Sequence, residues 1–297
     1  MLHRRDGMTQ RGRDGSETLR PGAVLAGRYR VRRVIGRGGS SVVYAGLDSD
    51  GTDVAIKLLD PEPEHRAVER SRMLREARIT QGMDHPGIVR LIDSGELPDG
   101  RAYLVMERLF GRTLADRLVT CFWTPMDESL EIAAQLLSAL DSAHARGVVH
   151  RDVNPSNVFL VDGDVVQTKL IDFGIGRDLG NPQSRVTQPD VVVGTLGYMA
   201  PEQLFGDDPC VRSDVYGAGA TLYEMLTGLP PHDIRQGDVR AVLCAMLDAP
   251  EPIAAMRPAV PRPLAEGVMR ALSQSPKDRY ASVREMAEDC QLWSLAA

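Results

Sequence analysis

The sequence predicts an α+β chain in two parts, a small antiparallel β-sheet with one main helix followed by a larger, mostly helical part. Three observations predict it. Short β-rich runs fill the span from Tyr29 to Met106. A single long helical stretch, Glu64 to Gln81, interrupts them. Beyond Gly111 the apolar residues switch to helical spacing.

Residues 1–27 are rich in Arg, Asp, Gly and Ser and lack apolar periodicity, so burial cannot offset the entropy of ordering them. They are expected to form a flexible tail ahead of one domain over 28–293, divided near residue 108. Ten arginines against three acids up to Arg37 read as a solvated basic segment. The expected strands are Tyr29 to Ile35, Ser41 to Leu47, Val54 to Leu59, Ile88 to Ile92 and Ala102 to Met106. A helix is expected from Asp127 to Arg146, where Leu130, Ala133, Ala134, Leu137 and Leu140 share one face, and another from Ser213 to Thr227. The proline-rich stretch Pro250 to Pro263 is expected to loop over the surface, before two last helices near Leu264 to Leu272 and Ser282 to Leu292.

Composition excludes several functions. With 297 residues, 43% of them hydrophobic, the chain can bury a large core. A formal charge of −6 argues against general nucleic-acid binding, which needs a basic surface. Cys121, Cys210, Cys244 and Cys290 are too scattered for a zinc or redox motif, which points to a reducing cytoplasm. No apolar run reaches the roughly 18 residues of a membrane span, and the N-terminus lacks the apolar core of a signal peptide.

The chemistry is concentrated in four places. Gly36-Arg37-Gly38-Gly39-Ser40-Ser41 follows the first main strand, a glycine-rich turn whose amides suit phosphate oxygens. Val54-Ala55-Ile56-Lys57 sets a lysine inside an apolar strand, where its charge calls for an anion. Glu76 on the following helix can supply one carboxylate, with ligand phosphate as the other anion. His150-Arg151-Asp152-Val153-Asn154-Pro155-Ser156-Asn157 places an acid and an amide in a loop that Pro155 is expected to keep from being helical. Asp172-Phe173-Gly174 then puts a carboxylate at a strand end. Oxygen donors from Asn157 and Asp172 suit Mg²⁺, and Asp152 remains to take a hydroxyl proton.

With these motifs in this order the chain resembles the protein-kinase superfamily from about Tyr29 to Leu292, in its bacterial eukaryotic-like Ser/Thr branch. The resemblance implies a two-lobe fold with an N-lobe over 28–108 and a C-lobe over 109–293. It implies transfer of the ATP γ-phosphate to Ser or Thr of protein substrates, with Mg²⁺, or Mn²⁺ as an alternative. By the same resemblance Lys57 and Glu76 form an ion pair, Asp152 is the base, and Asn157 and Asp172 hold the metal. Ile35, Gly36, Gly38, Val43, Ala55, Met106, Glu107, Leu109 and Phe159 surround the nucleotide, with Met106 as gatekeeper and Glu107 to Leu109 as hinge.

Gly194 to Glu202 looks like the end of an activation segment, and it disfavours a small-molecule acceptor. Thr195 there implies a Ser/Thr acceptor. Asp214 should brace the catalytic loop, and Glu202 should pair with Arg279. Thr187 and then Ser184 are the expected autophosphorylation sites, with Arg151 to receive the phosphate and a transient homodimer as the vehicle. The chain departs from the pattern at Ser41, the third loop glycine, and at Thr80, a position usually larger and apolar. It departs most at Asn154, where a lysine usually meets the γ-phosphate. Loss of that charge implies slower transfer and gives a nucleotide-binding pseudokinase its best support.

Overall fold

The computed structural model describes residues 9–11, 17–38, 41–59, 70–71, 73–74, 77, 80–162, 167–173, 196–232 and 248–291. The chain divides into two compact units, one of residues 1–83 with 89–109 and one of residues 84–88 with 110–297. The sequence-based boundary at residue 108 falls one position short. Residues 84–88 group with the second unit because the Leu170 N–H donates to the Gly87 carbonyl at 2.8 Å and Ile88 bridges Leu170 in parallel.

In the first unit β1 (Thr9–Arg11) and β2 (Glu17–Leu19) pair as a small antiparallel ribbon. A six-stranded sheet comprises β3 (Val24–Leu25), β4 (Tyr29–Arg37), β5 (Ser41–Leu47), β6 (Asp53–Leu59), β7 (Leu91–Glu96) and β8 (Ala102–Glu107), in the order β3-β4-β5-β6-β8-β7. All its neighbouring pairs are antiparallel. Residues alternate between its faces. Val42, Tyr44, Val54, Ile56, Leu58, Tyr103 and Val105 therefore form one continuous core. Between β6 and β7, the described residues Arg70, Ser71, Met73, Leu74, Ala77 and Thr80 are helical, with Met73 and Ala77 buried.

Two expectations are corrected here. The flexible tail does not extend to Gly27: Leu19 and Leu25 are buried in the core, and the Leu19 N–H donates to the Tyr44 hydroxyl at 3.0 Å. Backbone bonds from Gly22 to Val31 and from Val31 to Ala23, both 2.8 Å, hold the segment between them. The strand expected at Ile88 begins instead at Leu91, since Ile88 is engaged with Leu170.

The second unit opens with β9 (Gly111–Thr113), which joins β10 (Val158–Val161) and β11 (Thr168–Leu170) in the order β11-β10-β9. Its helices are α1 (Leu114–Thr120), α2 (Met126–His144), α3 (Pro201–Phe205), α4 (Val211–Thr227), α5 (Ile253–Met256), α6 (Arg262–Ala271) and α7 (Val283–Asp289). Thr113 caps α1 reciprocally with Asp116, the side-chain exchange that satisfies a helix's first free amides. The stretch expected as pure loop contains α5, which Pro252 precedes as its cap. Among the described residues no helix is long and apolar enough to cross a membrane.

Helix α4 is buried along nearly its whole length, from Ser213 to Leu226 with one half-buried position at Glu224. Its glycines let neighbours approach. A Cβ on Gly217 would meet the Val153 carbonyl oxygen at 2.7 Å, and one on Gly219 would meet the Ala271 Cβ at 2.8 Å. The central helix thus presses against the loop that carries Asp152.

Candidate active site

In the first unit the pairs Val43↔Lys57, Lys57↔Leu104 and Ala55↔Met106 set Val43, Ala55, Lys57 and Met106 on one face of the sheet, opposite the face that carries the core. Gly36 pairs with Val43 on the same face, and Ile35 falls in the bulge between Val34 and Gly36. The turn after β4 is closed by the Gly38 N–H on the Ser41 carbonyl, 2.8 Å. Glu107 ends β8, with its N–H on the Arg90 carbonyl at 3.0 Å and its carboxylate accepting the Arg90 N–H at 2.8 Å. Leu109, half-buried, is the last residue of the unit. Glu76, the expected partner of Lys57, lies outside the described residues.

In the second unit Asp152 is the centre of a hydrogen-bonded loop. Asn154 Nδ2 donates to its carbonyl and Oδ1, both at 3.0 Å. Asn157 Nδ2 donates to its carbonyl at 2.7 Å and its Oδ2 at 2.9 Å. Both carboxylate oxygens are therefore aimed by neutral amides. Asn154 Oδ1 also accepts the Ser156 N–H at 2.9 Å. That bond caps a 3-10 turn over Pro155–Asn157, with Pro155 at its start. The expectation that Pro155 prevents helix is corrected, because proline is well suited to a first helical position. Asn154, read from the sequence as facing phosphate, is buried against Asp152.

Asp172 follows β11, and the Ile171 N–H before it donates to the Asn157 carbonyl at 2.9 Å. This ties the two expected metal ligands to one stretch of backbone. Asp172 and Arg151 both have left-handed backbones, φ 52° and 70°, which cost of order 1 kcal/mol each and persist only where surrounding contacts impose them. Phe159, half-buried in β10, pairs with Thr113 and Lys169.

The surroundings that impose φ at Arg151 are identifiable. Asp214, buried in α4, accepts the Arg151 N–H at 2.8 Å through Oδ1. Its Oδ2 accepts the His150 N–H at 2.7 Å and lies 2.7 Å from His144 Nε2. His150 is fully buried, with its ring 4.7 Å from that of Phe173. Its Nε2 faces the Ile171 carbonyl at 3.1 Å and its Nδ1 accepts the Asp152 N–H at 3.3 Å, so the proton sits on Nε2. Sequence reasoning assigned His150 no role. Its only signal was adjacency to the acid.

Burial holds the His150 imidazole below the ordinary histidine range, against the opposing pull of Asp214 and Asp152. Burial does the same to His85. Groups kept neutral in this way stabilise the fold fully above the unfolded pKa of about 6.5, and that stability is lost as pH falls toward the depressed folded value. The thermal midpoint is therefore expected to fall between about pH 7 and pH 5, and His150→Asn to flatten part of that slope. A variant with the parent's slope across this range would remove His150 as a source.

Behind the loop, Glu202 of α3 and Arg279 form a bidentate pair at 2.7 and 2.8 Å, with Arg279 buried. Ser213 Oγ donates to the same carboxylate at 2.8 Å. A small pocket lined by Arg151, Asp152, Val153, Tyr198, Met199, Gln203, Ser213 and Gly217 opens beside the acid. Thr195, Thr187 and Ser184 lie outside the described residues.

The residues present fit a hard cation. With both amide hydrogens of Asn157 on Asp152, its Oδ1 is the atom it can offer, and Asp172 adds a carboxylate. Magnesium takes such oxygen donors with water and phosphate.

Comparison with known proteins agrees with this geometry. Residues 29–289 match the family described as protein kinase domain. The chain is 38% identical over 273 residues to the probable serine/threonine-protein kinase PknB of Lactococcus lactis, covering 90% of this chain and 42% of that protein. It is 36% identical over 267 residues to the serine/threonine-protein kinase PknH of Mycobacterium tuberculosis, covering 89% and 41%. The chain thus spans about two fifths of the length of these curated relatives. The crystal structure of the Mycobacterium tuberculosis PknI kinase domain superposes with a TM-score of 0.73 at 32% identity, covering 92% of this chain and 99% of that one. The aimed acid, the adjoining amide and carboxylate, and a match across nearly the whole chain agree, and the chain belongs to the protein kinase family, among bacterial eukaryotic-like members.

Proposed function

We propose that this chain transfers the γ-phosphate of ATP to serine or threonine hydroxyls of protein substrates, and that it also phosphorylates its own segment around Thr187 and Ser184. The observation that carries the reading is the Asp152 carboxylate, held by Asn154 and Asn157 within a loop whose Asn157 is tied to the backbone preceding Asp172. An acid aimed in this way can orient an acceptor hydroxyl and take its proton.

Val43, Ala55 and Met106 offer a small apolar face to a purine, and Lys57 on the same face supplies a cation for phosphate oxygens. Gly36 and Gly38 leave room for backbone amides close to those oxygens. Asn157 and Asp172 would hold Mg²⁺, which when bound neutralises phosphate charge. The hydrogen bonds from Asn154 to Asp152 support its reading as a loop-fixing group that aims the acid. The exposed free thiols of Cys121 and Cys210 suit the reducing cytoplasm as its place of work.

The test is incubation with Mg²⁺, labelled ATP and a basic protein acceptor, followed by identification of every modified residue. Phosphoserine and phosphothreonine are expected on the acceptor and on the chain. Nucleotide uptake without any transfer would replace this reading by the scaffold one that Asn154 favours. Label appearing only on small alcohols would replace it by a small-molecule kinase.

A further inference from the structure

Gln203, buried in α3 at 3% exposure, has no part in the chemistry proposed above. Its Oε1 accepts the Ala200 N–H at 3.2 Å, and its Nε2 donates to the Arg151 carbonyl at 3.0 Å, 52 positions away in the chain.

Arg151 immediately precedes Asp152 and holds the left-handed φ of 70°, a state that residues other than glycine keep only under external constraint. Asp214 fixes its N–H. Gln203 fixes its carbonyl, and with it the plane of the peptide that leads into Asp152. The N–H of that same peptide points to His150 Nδ1. The peptide is therefore gripped on both edges, by α3 on one and by the buried imidazole on the other.

Few side chains could replace Gln203. Meeting a backbone N–H and a backbone carbonyl together takes an acceptor and a donor on one planar group. Glutamate keeps the acceptor but sets a second oxygen against the Arg151 carbonyl. Methionine approximates the volume and offers neither bond, and asparagine is one methylene short. The pocket beside Asp152 has Gln203 in its wall together with Tyr198 and Met199, which belong to the segment leading into α3.

We propose that Gln203 is a positioning residue for Asp152: it locks the Arg151–Asp152 peptide to α3, so that the acid and the segment entering that helix hold one geometry during phosphoryl transfer. The inference rests on Asp152 acting as the base.

The experiment compares the 297-residue parent with Gln203→Met and Gln203→Glu, measuring nucleotide affinity, thermal midpoint, KM for ATP and turnover on a basic protein acceptor. Turnover of Gln203→Met is expected to fall roughly tenfold to a hundredfold, the scale of a small misplacement, while nucleotide affinity and KM stay at the parent's values. Gln203→Glu is expected to be equally slow at about pH 8. At about pH 6 it should regain turnover relative to the parent, because burial raises its carboxyl pKa and the protonated form restores the donor.

Turnover of Gln203→Met within roughly twofold of the parent would overturn the role. So would a Gln203→Glu to parent ratio that is the same at both pH values, which decides the matter if Gln203→Met does not fold. Nucleotide affinity falling in step with turnover would mark a merely structural side chain and overturn it too. A parent that transfers no phosphate sinks the kinase reading and this role together, whereas an active parent matched by its variants sinks this role alone.

Discussion

Replacing Asp152 by asparagine is expected to lower phosphotransfer by about a hundredfold to ten-thousandfold, the usual contribution of a positioned base. Two losses combine. The amide cannot take up the acceptor proton, and it cannot be aimed as the carboxylate is. Asp152 Oδ1 accepts a hydrogen bond from Asn154 and Oδ2 accepts one from Asn157. Asparagine has one acceptor oxygen, so its NH₂ must face one of those donors. One bond is lost and a donor is left unmet, which costs stability by about 1–3 kcal/mol where the group is buried. Rates with Mg²⁺ and ATP, read beside urea unfolding of the same sample, separate the two effects. Turnover within about tenfold of the parent would remove Asp152 from the base's place.

The largest expected effect on stability lies at Arg279. Its five N–H donors all have partners: Nε on the Ser273 carbonyl, Nη1 on Glu202 Oε1 and the Arg212 carbonyl, Nη2 on Glu202 Oε2 and the Gln274 carbonyl. The guanidinium also lies over the Tyr216 ring, 4.9 Å from its centroid. Arg279→Met removes all of this and leaves the largely buried Glu202 carboxylate without its charged partner. Breaking a buried pair from one side costs about 3–5 kcal/mol, so the urea midpoint should drop with little change in slope. Replacing Glu202 by leucine as well should cost less than Arg279→Met alone, since no buried charge is then left unpaired.

Acid narrows that difference. Burial pushes the Glu202 carboxyl up, but the hydrogen bonds and charge of Arg279 pull it further down, and the net shift is downward. A depressed folded pKa means that the pair's stabilisation is complete above the unfolded carboxyl value and is lost as pH falls through the folded one. The parent should therefore approach Arg279→Met in stability in that range. A midpoint unchanged by Arg279→Met at neutral pH would show that the pair contributes nothing net.

Much of the site was legible because it consists of short motifs whose internal spacing is fixed by local backbone. Asp152 and Asn157 lie five positions apart in one loop, and Asp172 follows a short strand that its apolar residues mark. The common face of Val43, Ala55, Lys57 and Met106 follows from strand register once the runs pair as neighbours. Contacts made by backbone between distant segments were not legible. Residues 19–25 join the sheet through backbone hydrogen bonds, one of them to the Tyr44 hydroxyl, and two buried leucines, about which an Arg- and Gly-rich composition says little. Ile88 is apolar and next to a strand, yet its partner Leu170 is far along the chain. Asn154 was open to a better reading, since asparagine followed by proline is a cap and turn signal in its own right.

Burial of Leu19 and Leu25 bears on where the chain can be shortened. A fragment trimmed to start at Tyr29, where the kinase-domain match begins, would lose both leucines and uncover the ends of β4 and β5. Removing each buried leucine opens a void worth about 2–5 kcal/mol, enough to turn a well-behaved domain into an aggregating one. Expression boundaries for this protein accordingly belong at or before Glu17.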